Sequence, residues 1–595
     1  MPNQVRDLQT FDETSYPYIF EQNVSVPLQN GGLVRCNVYL PKDSRQGQRY
    51  PVIMTYGPYG KDIPYEDFHP KSYQELNPDH KTVHSAWETP TPRYWTAHGY
   101  VVVRADEVGT GQSPGIVDVL SASTIDAFCE LIEWASEQPW STGKVGLLGI
   151  SYYGATQWQV AARNPKGLAA IVPWEGFSDH YRDATRHGGI LSSGFLRFWW
   201  DRQVASNQYG LPGRAARKHG PDTLEGDLTE EELKANRVEF LDEHQQSRFR
   251  DCARYASVNF NLEDIQVPLL SVANWGGIFL HLRGNVEGFT HAGSELKYLR
   301  FIVGRHDLPF YYPEEVEVQR SFLDAFLKGE DREGWSKKGA VPPVDLILRK
   351  GDVGHNNPEG EKLYPRRKES EWPIARTRYT DLFLSPDGQL HFTRPVVARP
   401  CKLGYRALGT AQSPQLVSFT TPPFERETEI TGHIVAHLNV SVAGYPGGPI
   451  PSDIDLFLSL RHLSASGKEI FYTGASGEAA PVTKGFLRVS LRKTNPQHPR
   501  HRPWLPHRDY LSTDVLPVIP NEVYAVDVEI WPTNVIVEKG ERLVLDISSG
   551  DTAGSSVFEH CDPIDRPEKT FSGMNYIHFG PKYLNSITLP IIPPK

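Results

Sequence analysis

Residues 144–154 read Lys-Val-Gly-Leu-Leu-Gly-Ile-Ser-Tyr-Tyr-Gly, an apolar run leading into a glycine-flanked serine, Ser151, and then into a helix-forming stretch. A strand that stops at a serine and turns at once into a helix restricts the chain to α/β architectures, with the serine oxygen exposed at the carboxyl edge of a parallel sheet. Gly149 and Gly154 supply the small residues that so tight a turn needs. The commoner form of the turn has glycine two places after the serine. Here Tyr153 holds that place and the glycine comes one residue later.

The surrounding pattern agrees with such a sheet. Leu33 to Leu40 alternates apolar and polar residues, Pro51 to Thr55 is a short apolar run, and Tyr100 to Arg104 is a β-branched run of the kind buried on both faces. Ile125, Phe128, Leu131, Ile132 and Ala135 recur at helical spacing before the Ser151 strand, and Leu168 to Val172 reads as the next strand. The pattern resumes at Val267 to Ala273 and Leu299 to Val303, with a further helix over Val316 to Leu327. These alternations predict a doubly wound α/β-hydrolase domain built from residues 1–176 and 258–345. Residues 177–257, with a charged helical stretch from Thr229 to Arg248, read as an inserted helical cap. From 346 to 595 helical periodicity gives way to strand-length runs, such as Ile434 to Val442 and Arg542 to Ile547, between Gly and Pro clusters. That predicts an all-β jelly-roll sandwich.

A chain of 595 residues with 39% hydrophobic residues can bury several cores. Its net charge of -10 is spread without a long basic run, which argues against a nucleic-acid partner. Cys36, Cys129, Cys252, Cys401 and Cys561 lie far apart, form no Cys-x-x-Cys pair and read as buried thiols. No stretch approaches the roughly 20 apolar residues of a membrane span, and the first residues carry no recognisable targeting signal. A cytoplasmic enzyme, open to homo-oligomer formation, acting on a small-molecule ester or amide without a metal or organic cofactor is the expectation.

A nucleophilic serine needs a base, and in this fold the base arrives on a loop after the last strands. Leu299 to Val303 is followed by Gly304-Arg305-His306-Asp307, which makes His306 the candidate; His281, after the preceding strand, is the weaker one. Acyl transfer also needs donors for a developing oxyanion. The backbone N–H of Tyr152 is one. The segment Tyr56-Gly57-Pro58-Tyr59-Gly60-Lys61, after an early strand, offers Tyr59 or its neighbours as the other.

These residues resemble the cocaine-esterase-like hydrolases and their relatives, the X-Pro dipeptidyl-peptidases and α-amino-acid ester hydrolases. The likeness is carried by Pro58-Tyr59-Gly60-Lys61, Gly109-Thr110-Gly111-Gln112-Ser113, Gln138-Pro139-Trp140-Ser141-Thr142-Gly143-Lys144, Gly149-Ile150-Ser151-Tyr152-Tyr153-Gly154 and Lys539-Gly540-Glu541-Arg542-Leu543. The family's serine motif has its glycine three places after the nucleophile, as here. The resemblance implies Ser151 as nucleophile, His306 as base, and an oxyanion hole of the Tyr59 hydroxyl and the Tyr152 amide. It also implies a helical cap and a carboxyl-terminal jelly roll.

One departure stands out. Family members carry the triad aspartate just after a Trp at the end of the penultimate sheet strand, and this chain reads Asn274-Trp275-Gly276-Gly277, with Gly277 in the acid's place. Glu175 at the end of the strand after the nucleophile helix, Glu287 beyond the missing aspartate, and Asp307 beside His306 are the possible substitutes, Glu175 first because adjacent strands set their carboxyl ends side by side. The plainer role for Glu175 is a buried partner of Arg182. Asp106 and Glu107 read as structural, and Trp158, Trp174, Trp199, Trp200 and Tyr181 as core or pocket aromatics. An X-Pro dipeptidyl-peptidase or amino-ester hydrolase, an acyltransferase, and a catalytically weak binding protein remain the rival readings.

Overall fold

In the computed structural model, which describes residues 9–594, two large sheets divide the chain. The first is built from β1 (Thr10–Asp12), β2 (Ile19–Pro27), β3 (Leu33–Leu40), β4 (Tyr50–Gly57), β5 (Val101–Asp106), β6 (Ser141–Ile150) and β7 (Leu168–Trp174). A two-stranded hairpin follows, β8 (Arg186–His187) and β9 (Ile190–Leu191), and the sheet resumes with β10 (Leu269–Asn274), β11 (Lys297–Ile302), β12 (Val344–Ile347) and β13 (Arg366–Glu369). Strand order is β1-β2-β3-β5-β4-β6-β7-β10-β11-β12-β13. The stretch from β5 through β12 is parallel, flanked by antiparallel edges. This is the α/β-hydrolase sheet, and β5 and the last six residues of β6 are buried throughout, as strands between two helical layers must be. The sheet continues past residue 345, where the sequence pattern placed the change of architecture. β13 is Arg-Arg-Lys-Glu, an edge strand without apolar alternation, held by ion pairs such as Arg366–Asp345 at 3.1 Å.

Close backbone packing sets the serine turn. The helix Tyr152–Arg163 starts directly after Ser151, and a Cβ on Gly154 would lie 2.7 Å from the carbonyl oxygen of Trp174. A Cβ on Gly176 would lie 2.4 Å from the Gly154 carbonyl carbon. These facing glycines bring the helix after Ser151 onto the end of β7 and explain why glycine is needed at 154. Tyr153 is accommodated one place earlier because Gly57 leaves room: a Cβ there would sit 2.7 Å from the Tyr153 ring.

Residues 177–257 lie over the carboxyl edge as short helices, among them Ser193–Trp199, Glu230–Ala235, Phe240–Gln246 and Ala253–Ser257. The helix expected from Thr229 to Arg248 is broken, because residues around 237 pair with the chain at Val117, Val238 N–H donating to Val117 O at 2.9 Å. The carboxyl-terminal region is a twelve-stranded antiparallel jelly-roll domain, whose longest pair, Thr428–Ala443 and Tyr524–Val537, is interrupted by a bulge between Gly432 and Ile434. The two regions are joined by buried polar contacts: Arg349 Nε donates to Asn534 O at 2.7 Å, and His306 N–H donates to Ala475 O at 2.9 Å. Of the cysteines, only Cys36 is buried as expected; Cys401 and Cys561 are exposed and the other two half-buried. Among the described residues, no helix is long and apolar enough to cross a membrane.

Candidate active site

Ser151 has φ 61° and ψ -117°, a conformation that costs a residue with a Cβ on the order of 1–3 kcal/mol and persists only where its surroundings impose it. The imposing contacts are the Ser151 N–H to Trp174 O at 3.1 Å and the Gly154 and Ala155 amides to Ser151 O at 2.9 and 2.7 Å. Tyr152 supplies the first N–H of the helix, which has no acceptor within the helix itself. The Tyr59 hydroxyl accepts the indole N–H of Trp199 at 2.8 Å, which leaves its own proton free to point elsewhere. Burial, and then the charge of Glu88, holds that phenol well above its ordinary pKa and so protonated.

His306 follows β11 on a loop fastened to the jelly roll. Its Nδ1 lies 2.9 Å from Glu175 Oε2, and Glu175 is fully buried at the end of β7 with φ 41°. Asn274 Nδ2 donates to the other oxygen of Glu175 at 3.1 Å and to Gly304 O at 2.9 Å, tying the acid to the histidine loop. Burial raises the Glu175 carboxyl, against the pull of His306 and Asn274. Burial disfavours the charged form of His306, yet Glu175 and Glu88 outweigh it and hold the ring well above the usual histidine range.

Ser151 and His306 line one cavity of about 300 Å³, walled by Trp87, Phe195, Trp199 and Phe279 and, from the jelly roll, by Ala475 and Phe558. The Ser151 oxygen lies 3.4 Å from Nε2 of His281. His281 Nδ1 accepts the Phe177 amide at 3.2 Å, which fixes the proton on Nε2 and makes this ring a donor to the serine. Burial, and then His306 stacked 5.0 Å away, keeps His281 neutral. The one cluster of metal-ligand spacing among the described residues, His498, His507 and Asp509, belongs to the jelly-roll domain and is absent from the cavity lining.

Residues 30–306 match the X-Pro dipeptidyl-peptidase (S15 family), and residues 337–588 match the X-Pro dipeptidyl-peptidase C-terminal non-catalytic domain. The chain belongs to this serine hydrolase family. The cocaine esterase of Rhodococcus sp. is 23% identical over 97% of this chain and 99% of its own length. A CocE/NonD family hydrolase from Staphylococcus aureus superposes with a TM-score of 0.79 at 26% identity, covering 100% of this chain and 98% of that one. An aminopeptidase from a Thaumarchaeota archaeon shares the fold at TM-score 0.67 and 16% identity, over 99% of both chains.

Against that family background, the carboxylates sort themselves by contact. A Cβ built on Gly277 would lie 3.8 Å from Glu175 Oε2, so Glu175 reaches from the neighbouring strand into the space beside the position where family members carry aspartate. Glu287 pairs with His291 at 3.4 Å and faces a different cavity. Asp307 turns away from His306 to accept Tyr65 Oη at 2.8 Å, Trp87 Nε1 at 3.1 Å and the Ser72 hydroxyl. Arg182, the plainer partner for Glu175, pairs with Asp179 instead. Asp106 accepts the amides of Lys61 and Gln112 at 2.7 and 2.8 Å, and Glu107 accepts the Tyr152 hydroxyl at 2.9 Å, as structural carboxylates do. Of the five aromatic candidates only Trp199 lines the cavity; Trp158 and Trp174 are fully buried in the sheet–helix core.

Two cavity residues escaped the sequence reading. The sequence presents His281 only as a candidate base, because its contact with the serine depends on the turn after β10. Glu88 sits in Trp87-Glu88-Thr89-Pro90, a loop before β5 with no local motif to mark it.

Proposed function

We propose that the enzyme cleaves an ester of a small organic acid through an acyl-enzyme on Ser151, with His306 as general base, Glu175 as its orienting carboxylate, and Tyr59 and the Tyr152 amide as oxyanion donors. The observation that carries this reading is the convergence of a strained serine and a carboxylate-anchored histidine on one largely apolar cavity. Glu175 fixes the proton of neutral His306 on Nδ1, so Nε2 is the atom that takes the serine proton. As Ser151 Oγ attacks the carbonyl carbon, negative charge grows on the carbonyl oxygen, where the Tyr59 O–H and the Tyr152 N–H stabilise it. Collapse of the tetrahedral adduct expels the alcohol, which receives the proton from His306. Water repeats the sequence and frees the acid.

His281 does not serve as base, because the Phe177 amide occupies its only lone pair. The aromatic wall of the cavity suits an apolar acyl or alcohol group, which supports the ester reading. Fluorophosphonate labelling of the wild type and of Ser151→Ala, with an aryl ester and an Ala-Pro anilide as alternative substrates, tests the proposal. Labelling is expected in the wild type alone, with a fall in ester turnover of about 10⁶ in the variant. Equal labelling of both would remove Ser151 as nucleophile, and faster turnover of the anilide would replace esterase by peptidase.

A further inference from the structure

Glu88 is a fully buried carboxylate that lines the catalytic cavity, and neither of its oxygens has a hydrogen-bond partner. Its Oε1 lies 3.0 Å from Nε2 of His306, off the axis along which that ring nitrogen bonds. The loop holds it there firmly. Glu88 O accepts the amide of Ile150, the residue before the nucleophile, at 3.2 Å, and buried Arg104 clamps the same loop through His84 O and Pro90 O at 3.0 and 3.2 Å. Glu88 also has φ 62°, so that Ser151, Glu175 and Glu88 all have positive φ close to His306. Strain of this sort survives where the fold over-determines a position, and it clusters at functional sites.

His306 therefore has a carboxylate oxygen close to each ring nitrogen, Glu175 hydrogen-bonded to Nδ1 at 2.9 Å and Glu88 in ion-pair contact with Nε2 at 3.0 Å. With Nδ1–H directed at Glu175, a bare Nε2 lone pair would face a bare Glu88 carboxylate. That 3.0 Å contact between an imidazole edge and a buried carboxylate favours a proton on one of the two, the ring or the acid. Ser151 in turn lacks a hydrogen bond to His306 and is met by the Nε2–H of His281.

We infer that Glu88 is a second carboxylate acting on the catalytic base: it engages Nε2 of His306 in the free enzyme, and the base becomes available to Ser151 when the proton they share departs. The inference rests on His306 being the base. Glu88 is here a positioning residue, acting on the serine only through the imidazole. The other titratable or charged groups around this pair are Glu175 behind the ring, His281 stacked on it, Asp307 next in the chain, Tyr59 within the field of Glu88, and His69, Arg202, Arg305 and Glu478 on the cavity wall. Burial pushes the Glu88 carboxyl up to about 7 while His306 pulls it down, and Glu175 and Glu88 hold the His306 ring above the usual histidine range against the effect of burial.

The sign follows from the charges. Two carboxylates raise the pKa of the imidazolium, so base-form enzyme accumulates only as pH rises through that raised value. Removing the charge of Glu88 lowers it. The test is the pH dependence of kcat/KM for an aryl ester in the wild type, Glu88→Gln and Glu88→Ala. Both variants are expected to move the acid limb down by about one pH unit, giving about tenfold more activity than wild type on that limb. An unmoved limb in both overturns the inference. Should neither variant fold, Glu88→Asp, which draws the carboxylate back from Nε2, decides: an acid limb below that of the wild type supports the inference and an unmoved limb overturns it. His306→Ala separates the two levels. Full turnover without His306 defeats the catalytic reading, whereas a dead His306→Ala beside an unshifted Glu88→Gln defeats only the role of Glu88.

Discussion

Two buried charge clusters in this molecule are built on opposite terms. Between cap and jelly roll, Arg488 bonds both oxygens of Asp455 at 2.9 Å and both of Asp565 at 3.1 and 2.9 Å, while Arg186 of the cap hairpin reaches Asp565 at 2.8 Å. Arg566 adds 3.0 Å to Asp455, and the Leu191 amide donates to Asp565 at 3.1 Å. Every carboxylate oxygen there has a donor aimed at it. In the cavity beside Ser151, Glu175 and Glu88 are as deeply placed and His306 nearly so, but Glu88 has no hydrogen-bonding donor and the imidazole has more acid around it than it can neutralise. Satisfied charges fix how the domains sit; unsatisfied ones leave a proton free to move. The same price in desolvation is thus met by bonds in one place and left outstanding at the other.

If this contrast is right, changes in the cavity alter rate and leave stability nearly untouched. The largest effect is expected for Glu175→Gln: about 10⁴ in kcat at unchanged KM, by loss of the tautomer-fixing acid, measured with an aryl ester under saturating conditions. Because Gly277 adjoins the Glu175 carboxyl, Gly277→Asp placed in the Glu175→Gln background is expected to recover at least about tenfold of that loss. No recovery would mean that the acid must come from β7. Next in size is Tyr59→Phe, expected to lower kcat by about 10² to 10³ through loss of an oxyanion donor, with the thermal midpoint barely shifted. A matching loss of stability would move Tyr59 from the catalytic to the structural side of the comparison.

The smallest effect on rate belongs to the other cluster. Asp565→Asn is expected to cost about 3–5 kcal/mol in urea unfolding with kcat/KM unchanged in the folded enzyme, because Arg488 and Arg186 lose their shared counter-charge. Burial acts to raise the Asp565 carboxyl, but Arg488 and Arg186 outweigh it and hold it well below the usual carboxylate range. A depressed folded-state pKa contributes stability that is fully present above the unfolded value of about 3.9 and is lost as pH falls below it. Wild-type stability should therefore drop below about pH 4, and Asp565→Asn should flatten that drop; identical pH profiles would show that this pair does not govern acid unfolding.

Much of the site was readable because local chemistry dictates it. A strand-serine-glycine turn requires small residues at fixed offsets, and the histidine loop after β11 follows from strand order alone. The predicted helix around residues 121–138 appears as Ala122–Glu137, capped by Ser121, whose side chain accepts the Thr124 amide at 3.2 Å. Where the pattern weakened, so did its reach. The charged run from Thr229 to Arg248 has helical propensity but is split by pairing with Val117, more than a hundred residues away in the chain. The β13 edge strand was invisible because charged ion pairs, not apolar alternation, hold it.

The sequence by itself determined the α/β-hydrolase sheet, the jelly roll, the serine turn and the histidine loop, since each depends on periodicity or spacing within a few residues. Only the tertiary structure decided which carboxylate reaches His306, that Asp307 turns away from it, that His281 meets the serine, and that Glu88 stands at the other ring nitrogen. Those outcomes depend on where β7, β10, β11 and the loop before β5 end relative to one another. Carboxylates from distant segments compete for one imidazole, and the winner is set by reach and burial, which no local pattern encodes.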